Sequence, residues 1–317
     1  MDQRPHPRLR PREQRLLQLM IAPDPRHHDA HVKAQTLIES LPWLLRFQGD
    51  TVVVKLGGNA MVSEDLLDAF AADMVYLHTV GLRPVIVHGG GPQISKALES
   101  RGIESEFRGG YRVTSTEAIP VVRDVLREDI SADLVERIGR YGVQAIAVNG
   151  FDGGLFQATR RGAVVDGKEV DLGHVGDVTA VNKEALRPHL EAGVIPVVSS
   201  VAPESDQDTL GLNINADQAA GQLAIGLQAS KLVLLTDVPG LYRAWPETDE
   251  VISTITVQAL EDMLSELSSG MIPKMTACVE AVKGGVAKAA IIDGRLGHSV
   301  LLEIFTPSGI GTEVVSS

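Results

Sequence analysis

Two apolar, strand-like runs in this chain each end in a glycine-rich turn. Thr51–Leu56 stops at Gly57-Gly58, with Lys55 two residues before Gly57. Pro84–Val87 stops at His88-Gly89-Gly90-Gly91-Pro92. Glycine has no Cβ, so backbone amides can approach an anion closely, and a following helix adds the positive end of its dipole. One such turn reads as a tight strand–helix connection. A pair in neighbouring strands, with a lysine beside one of them, points to a phosphate chain gripped from two sides. A second lysine, Lys274, opens a helix after Gly270-Met271-Ile272-Pro273. Phosphoryl transfer builds charge on the equatorial oxygens, and two lysines from opposite ends of the chain could offset it. Either lysine alone would be an ordinary surface residue.

Other polar residues could complete such a site. Leu212-Asn213-Ile214-Asn215-Ala216-Asp217 puts three polar side chains at alternating positions, which face one way if the segment is extended. That row could bind a substrate and orient the two ammonium groups; the competing reading is a helix N-terminus capped by Asn215. Arg112 follows Gly109-Gly110 and can fork onto a carboxylate. His88 and His174 are acid–base candidates, although turn or packing histidines are commoner. No His, Cys or paired-carboxylate cluster stands out as a metal site, so Mg²⁺ would arrive mainly on nucleotide phosphates.

The surrounding sequence excludes several classes. There is no G-x-x-x-x-G-K-[ST] and no G-x-G-x-x-G after the first strand, so neither a P-loop nor a dinucleotide fold is supported. The net charge of −12 argues against broad nucleic-acid binding. A single cysteine, Cys278, rules out an intrachain disulfide and fits a reducing cytoplasm. No apolar run is long enough to span a bilayer, and no signal peptide is read at the N-terminus. Aromatics make up only 4% of the 317 residues, so the core must rest on Val, Ile, Leu and Ala. Such a core suits parallel strands covered by helices.

Those elements follow from periodicity. Residues 1–28 are rich in Arg, Pro and His and read as a loose basic tail, with a possible helical turn over Glu13–Ile21. Residues 29–49 form a helical arm, bent or broken near Pro42. Helices are expected over Glu64–Val80 with Ser63 as cap, Gln93–Ser100, Thr116–Arg140, Ala216–Leu227, Val257–Leu267 and Lys274–Val286. Further strands are expected over Val143–Val148, Val194–Ser199, Lys231–Leu235, Ala289–Ile292 and Val300–Ile304, with hairpins between Phe156 and Val181. The alternation defines an α/β sheet, mainly parallel, whose sites lie beyond the carboxyl ends of strands. A boundary near residue 195 separates two lobes, 50–195 and 196–317.

These motifs, taken in order, resemble the amino-acid kinase family, and within it the members that phosphorylate N-acetyl-L-glutamate. The matching segments are Val54–Ala60, Val85–Pro92, Gly110–Thr114, Asp171–Gly176, Pro196–Ser200, Leu212–Asp217, Thr236–Gly240 and Gly270–Lys274. The resemblance implies a three-layer αβα sandwich, with an N-lobe for the acyl amino acid and dimerisation and a C-lobe for ATP. It implies transfer of the ATP γ-phosphoryl group, with Mg²⁺, to a side-chain carboxylate, an early step of arginine biosynthesis. Lys55 and Lys274 would stabilise the transition state, with Asp217 orienting them. Gly90, Gly91, Arg112, Asn213 and Asn215 would hold the acyl substrate. Gly57, Gly58, Thr236, Asp237, Gly240, Leu241, Tyr242, Gly270 and Met271 would border ATP. The arm resembles that of arginine-inhibited members, which assemble as hexamers of three dimers; His298, Glu303, Gly309 and Gly311 would then serve an arginine site. Carbamate kinase shares the Gly-Gly-Asn-Ala turn but lacks the Tyr-Arg-Val-Thr and Leu-Asn-Ile-Asn-Ala-Asp pattern. A reading of a different class, a non-catalytic nucleotide- or arginine-binding protein, would be favoured by loss of a lysine or of Asp217, and all three are present.

Overall fold

A computed structural model describes residues 25–165, 168–243, 246–306 and 309–316. The basic tail before residue 25, including Glu13–Ile21, lies outside them. The chain divides into two units, residues 1–46 and residues 47–317.

In the first unit, helix α1 spans Pro25–Phe47 and continues past Pro42 rather than stopping there. Proline removes one backbone bond, but the turns on either side remain available to hold the helix. Its apolar residues Val32, Leu37, Ile38, Leu41 and Leu45 are exposed.

The second unit carries the alternation expected of an α/β protein. Strand β1 is Thr51–Leu56, helix α2 Glu64–Thr79, β2 Arg83–His88 and α3 Gly91–Ser100. A short hairpin follows, β3 Phe107–Arg108 and β4 Tyr111–Arg112. Helix α4, Ala118–Asp124, passes through a π-helical turn at Val125–Ser131 into α5, Ala132–Gly139. Then come β5 Ala145–Val148, β6 Phe156–Arg160, β7 Ala163–Val165, β8 Lys168–Val170 and β9 Val175–Val181. After α6 Arg187–Glu191 lie β10 Ile195–Ser199, β11 Val201–Ala202 and β12 Leu212–Ile214. The chain continues with α7 Ala216–Gly226, β13 Lys231–Thr236, β14 Thr254–Thr256, α8 Val257–Met263 and α9 Ile272–Lys283. It ends with β15 Lys288–Asp293, α10 Ser299–Phe305 and β16 Thr312–Val315.

The main sheet has eight strands in the order β14-β16-β15-β13-β1-β2-β10-β5. Every pair in it is parallel except β15 with β16. Strand side chains alternate between faces, and the two cores follow that rule. Val53, Val85, Val87, Leu232 and Leu234 enter one core, while Val52, Val54, Leu56, Ile86, Val233 and Leu235 enter the other. Helices cover both faces, which makes the three-layer αβα sandwich. A smaller sheet, β11-β12-β9-β6, holds Asn213 on β12.

One expected strand is corrected. Val300–Ile304 lies within helix α10, and the chain closes on β16 instead. Ser299, Val300, Glu303 and Ile304 are buried, a spacing that puts one helical face inward. A short apolar run cannot be assigned by periodicity alone. Gly311, just before β16, is tightly constrained, because a Cβ there would overlap the Ile291 carbonyl. Gly311→Ala is therefore expected to lower unfolding free energy by about 1–3 kcal/mol, read from urea denaturation without ligand.

Candidate active site

The site begins where β1 ends. Lys55 is one residue from the strand's end and only 6% exposed. Its side chain folds back over Gly57, where a Cβ would overlap the ammonium group. Gly57 is thus required by the lysine as well as by any anion. Gly58 follows with φ +69°, and a Cβ there would overlap the Asp237 carboxylate. The two glycines leave the backbone bare between a cation and a carboxylate.

Asp217 sits in the first turn of α7 and Lys274 in the first turn of α9. Helices α7 and α9 approach closely through Gly221, whose Cβ would lie 3.2 Å from the Ala277 carbonyl oxygen. Glycine inside a helix costs about 0.5–1 kcal/mol relative to alanine. Here it lets the first turns of the two helices meet. Lys55 Nζ lies 2.8 Å from Asp217 Oδ1, and Lys274 Nζ donates to Asp217 Oδ2 at 2.9 Å. Residues 55, 217 and 274 therefore converge, as the paired-lysine reading requires.

Burial sets the electrostatics. Burial by itself would raise the Asp217 carboxyl, but Lys55 and Lys274 pull it down to about 2. Burial pushes Lys55 below the usual lysine value, and Asp217 opposes that shift. The aspartate thus keeps two cations side by side in a partly dry site, where their charge acts strongly on an incoming anion.

Beside this triad lies a cavity of about 190 Å³. Gly90, Gly91, Arg112, Asn213 and Asn215 all line it. Gly90 packs against the π-helical turn, since a Cβ there would meet Ile130 Cδ1 at 2.5 Å. Arg112 is buried; its guanidinium donates to Gly91 O at 3.0 Å, to Ser95 Oγ at 2.7 Å and to Ser105 Oγ. It also lies 4.6 Å from the Phe107 ring centroid. The β3–β4 hairpin that carries it turns through Gly109 and Gly110, both at positive φ, as a tight two-residue turn demands. Asn213 Nδ2 donates to Thr114 Oγ1 at 3.2 Å.

The alternating Asn-Asn-Asp row is only partly extended. Strand β12 stops at Ile214, and Asn215 caps α7 by accepting from the Asp217 and Gln218 amides at 2.8 and 3.2 Å. Asp217 is thus helical, and the cap aims its carboxylate at the lysines. His88 is fully buried, contacts Ser131 Oγ at 2.7 Å and is pushed down to about 4 by burial, so it stays neutral. His174 contacts Gly211 O and Thr116 Oγ1, each at 3.2 Å. Both histidines pack turns.

Of the residues expected to border ATP, Thr236 ends β13 and Asp237 follows it against Gly58. Gly240 is squeezed, since a Cβ would lie 2.6 Å from Val251 and 2.8 Å from Thr312 Oγ1. Leu241 is packed in the core and its amide donates to Thr312 Oγ1 at 2.8 Å, while Tyr242 bridges to Val251. Gly270 is exposed and Met271 precedes α9, one turn before Lys274.

His298, Glu303, Gly309 and Gly311 belong to the C-terminal segment, away from the triad in sequence. Glu303 is buried, accepts from Lys231 at 2.7 Å and from the Ile310 amide at 2.9 Å, and fills the space a Cβ on Gly309 would need. His298 precedes α10 and contacts Asp73 at 2.6 Å; burial raises Asp73 to about 6. Sequence reasoning missed Thr114, Ser200, Tyr111 and Val175 as site residues, and Lys231 as the partner of Glu303. Thr114 and Tyr111 stood in a quoted motif without a role. The Thr114–Asn213 contact spans 99 residues, so no local spacing could have announced it.

A P-loop-free αβα sandwich with two lysines on one carboxylate, between glycine turns, defines a phosphotransferase class. The chain belongs to the amino acid kinase family, whose model matches residues 50–293. It is 60% identical over 285 residues to the acetylglutamate kinase of Leifsonia xyli, covering 90% of this chain and 94% of that one. It is 62% identical over 286 residues to the acetylglutamate kinase of Clavibacter michiganensis, with the same coverage. Among solved structures it is similar to N-acetylglutamate synthase from Neisseria gonorrhoeae at 25% identity, complexed with coenzyme A and N-acetyl-glutamate (TM-score 0.78) or L-arginine (0.74). It covers 63% and 65% of those longer chains, and they cover 90% of this one.

Asp217 anchors the site, so Asp217→Asn should lower kcat about 100-fold or more, as loss of a charge-stabilising contact does. The folded Asp217 value lies below the ordinary 3.8, so its stabilisation is present above about pH 4 and lost as pH falls towards 2. Denaturant unfolding should therefore separate Asp217→Asn from wild type at pH 7, and the gap should narrow across that acid window.

Proposed function

We propose that this chain transfers the γ-phosphoryl group of ATP to the side-chain carboxylate of N-acetyl-L-glutamate, giving N-acetyl-L-glutamyl 5-phosphate in arginine biosynthesis. The observation that carries this reading is the identity of about 60% to named acetylglutamate kinases along nine-tenths of the chain. The convergence of Lys55, Asp217 and Lys274 beside a cavity holding Arg112 and Asn213 supports it.

The chemistry follows from those groups. A substrate carboxylate oxygen attacks the γ-phosphorus, the bond from that phosphorus to the β–γ bridging oxygen breaks, and ADP leaves with the electron pair. A carboxylate is already a nucleophile, so no general base is needed, which agrees with the neutral, packed His88. Lys55 and Lys274 offset charge on the equatorial oxygens, and Asp217 holds them side by side, close to the phosphoryl. Gly57 and Gly58 meet the nucleotide side, and Gly90 and Gly91 open the N-terminus of α3 towards the acceptor. Arg112 and Asn213 hold the α-carboxylate and acetamido ends. When bound, Mg²⁺ carried on the ATP phosphates would lower their charge.

Residues 50–195 form the acyl-substrate and dimerisation lobe, and 196–317 the ATP lobe. Among the described residues no helix is long and apolar enough to cross a membrane, and we place the enzyme in the cytoplasm. The exposed apolar residues of α1 support its use as an assembly arm in a hexamer. The buried Lys231–Glu303 pair and the turn at Gly309 support an arginine site on the C-terminal segment, including His298 and Gly311.

ADP release should respond strongly to N-acetylglutamate and weakly to glutamate, aspartate or carbamate; no response to N-acetylglutamate would refute the acceptor. Millimolar arginine should inhibit the full-length hexamer. Unchanged turnover at that concentration, or a mass in solution corresponding to a dimer, would remove the regulatory part of this reading.

A further inference from the structure

The two glycine turns leave adjacent parallel strands, β1 and β2, which stay in register up to Leu56 opposite His88. Beyond that point the ladder gives out. Its next link, from the Gly89 amide to Leu56 O, is long at 3.4 Å. Yet the turns must hold a fixed separation if Gly58 and Gly90 are to address one phosphoryl group from opposite sides.

Gln93 bridges that gap. It is the third residue of α3, where a glutamine commonly reaches back to cap its own helix. Here the helix has no side-chain cap. Gln93 Nε2 instead donates to Met61 O at 2.8 Å, across 32 residues. Met61 is the last residue of the 3₁₀ turn Gly58–Met61 that follows the Lys55 strand. Among the described residues the other amide atom, Oε1, is buried with no hydrogen-bond partner. The polar work of this side chain is therefore donation alone. An apolar side chain of the same size would remove the unpaired Oε1 but leave Met61 O without its donor, so the exchange is close to balanced in stability.

We propose that Gln93 is a positioning residue that clamps the second glycine turn to the first and so sets the width of the phosphoryl site. It touches neither substrate and acts through the Gly58–Met61 turn. The inference rests on the phosphoryl-transfer reading of the Lys55 site. Misplacing reacting groups by about an ångström can cost as much as 10²-fold in rate, and a lost clamp should cost part of that.

The test uses the full chain, with ATP and N-acetylglutamate as substrates. Gln93→Met keeps the size and removes the donor; Gln93→Glu keeps the shape and removes the donor while ionised. Both should lower kcat about tenfold. The KM for N-acetylglutamate should stay within about twofold and the melting temperature within a few degrees. Relative to wild type, Gln93→Glu should regain rate as pH falls from about 8 to 5.5, because its protonated carboxyl can donate to Met61 O. Gln93→Met should show no such recovery. A Gln93→Met variant with kcat within twofold of wild type, a loss confined to KM, or a loss that tracks a large fall in melting temperature would each overturn the clamp. Lys55→Ala runs alongside: full turnover there would overturn the phosphoryl site itself, whereas a dead Lys55→Ala with an unaffected Gln93→Met would overturn the clamp alone.

Discussion

The site depends on one carboxylate, Asp217, shared by two ammonium groups at 2.8 and 2.9 Å. Lys55 is buried and Lys274 half-buried, and without the aspartate the two cations would repel each other while losing hydration; removing one partner from a buried charge pair typically costs about 3–5 kcal/mol. Asp217 makes their proximity tolerable, so positive charge is stored at the proposed phosphoryl site. Much of the nearby architecture serves that contact. Asn215 caps α7 and so orients the aspartate, Gly221 lets α9 approach, and Gly57 leaves room for Lys55 to fold back.

The sheet supplies the rigidity this arrangement requires. β1 lies between β13 and β2 in the sheet interior, and its apolar residues feed both cores. Lys55 is thus anchored on a backbone that cannot shift without disturbing both layers of helices. The cavity beside the triad, which we propose takes the acceptor, is assembled differently, from the β3–β4 hairpin, the start of α3 and the small sheet that carries Asn213. Arg112 there is held by Gly91 O, Ser95, Ser105 and the Phe107 ring, so its guanidinium is oriented by the protein itself. Preorganisation of this kind lowers the ordering cost at binding.

A second buried ionic group stands on the C-terminal segment. Lys231 at the start of β13 holds Glu303 and Glu313, and Glu303 in turn accepts from the Ile310 amide. The same strand, β13, ends at Thr236 beside the Asp237 that faces Gly58. One strand therefore joins the ion group at its start to the nucleotide-side turn at its end, a physical connection between the two regions.

Residue types and spacing alone determined a good deal: the parallel α/β class, the two glycine turns after β1 and β2, and the candidate lysines. Apolar runs such as Val52–Val54 and Leu232–Leu235 are short but bounded by clear breakers, Gly57-Gly58 after the first and Pro239-Gly240 after the second, so they carry their own assignment. The strand reading of Val300–Ile304 fails because a five-residue run with four apolar positions fits both periods until Glu303 is known to face inward towards Lys231. Asp217 falls both in an extended polar row and at the start of the helix expected over Ala216–Leu227, and the fold keeps the helix. The meeting of Lys55 with Lys274, the Thr114–Asn213 contact and the Gln93–Met61 bond were likewise decided by tertiary structure. Local patterns record which face of an element is apolar; which distant faces meet depends on strand order and helix packing, which pairs residues that no short window contains.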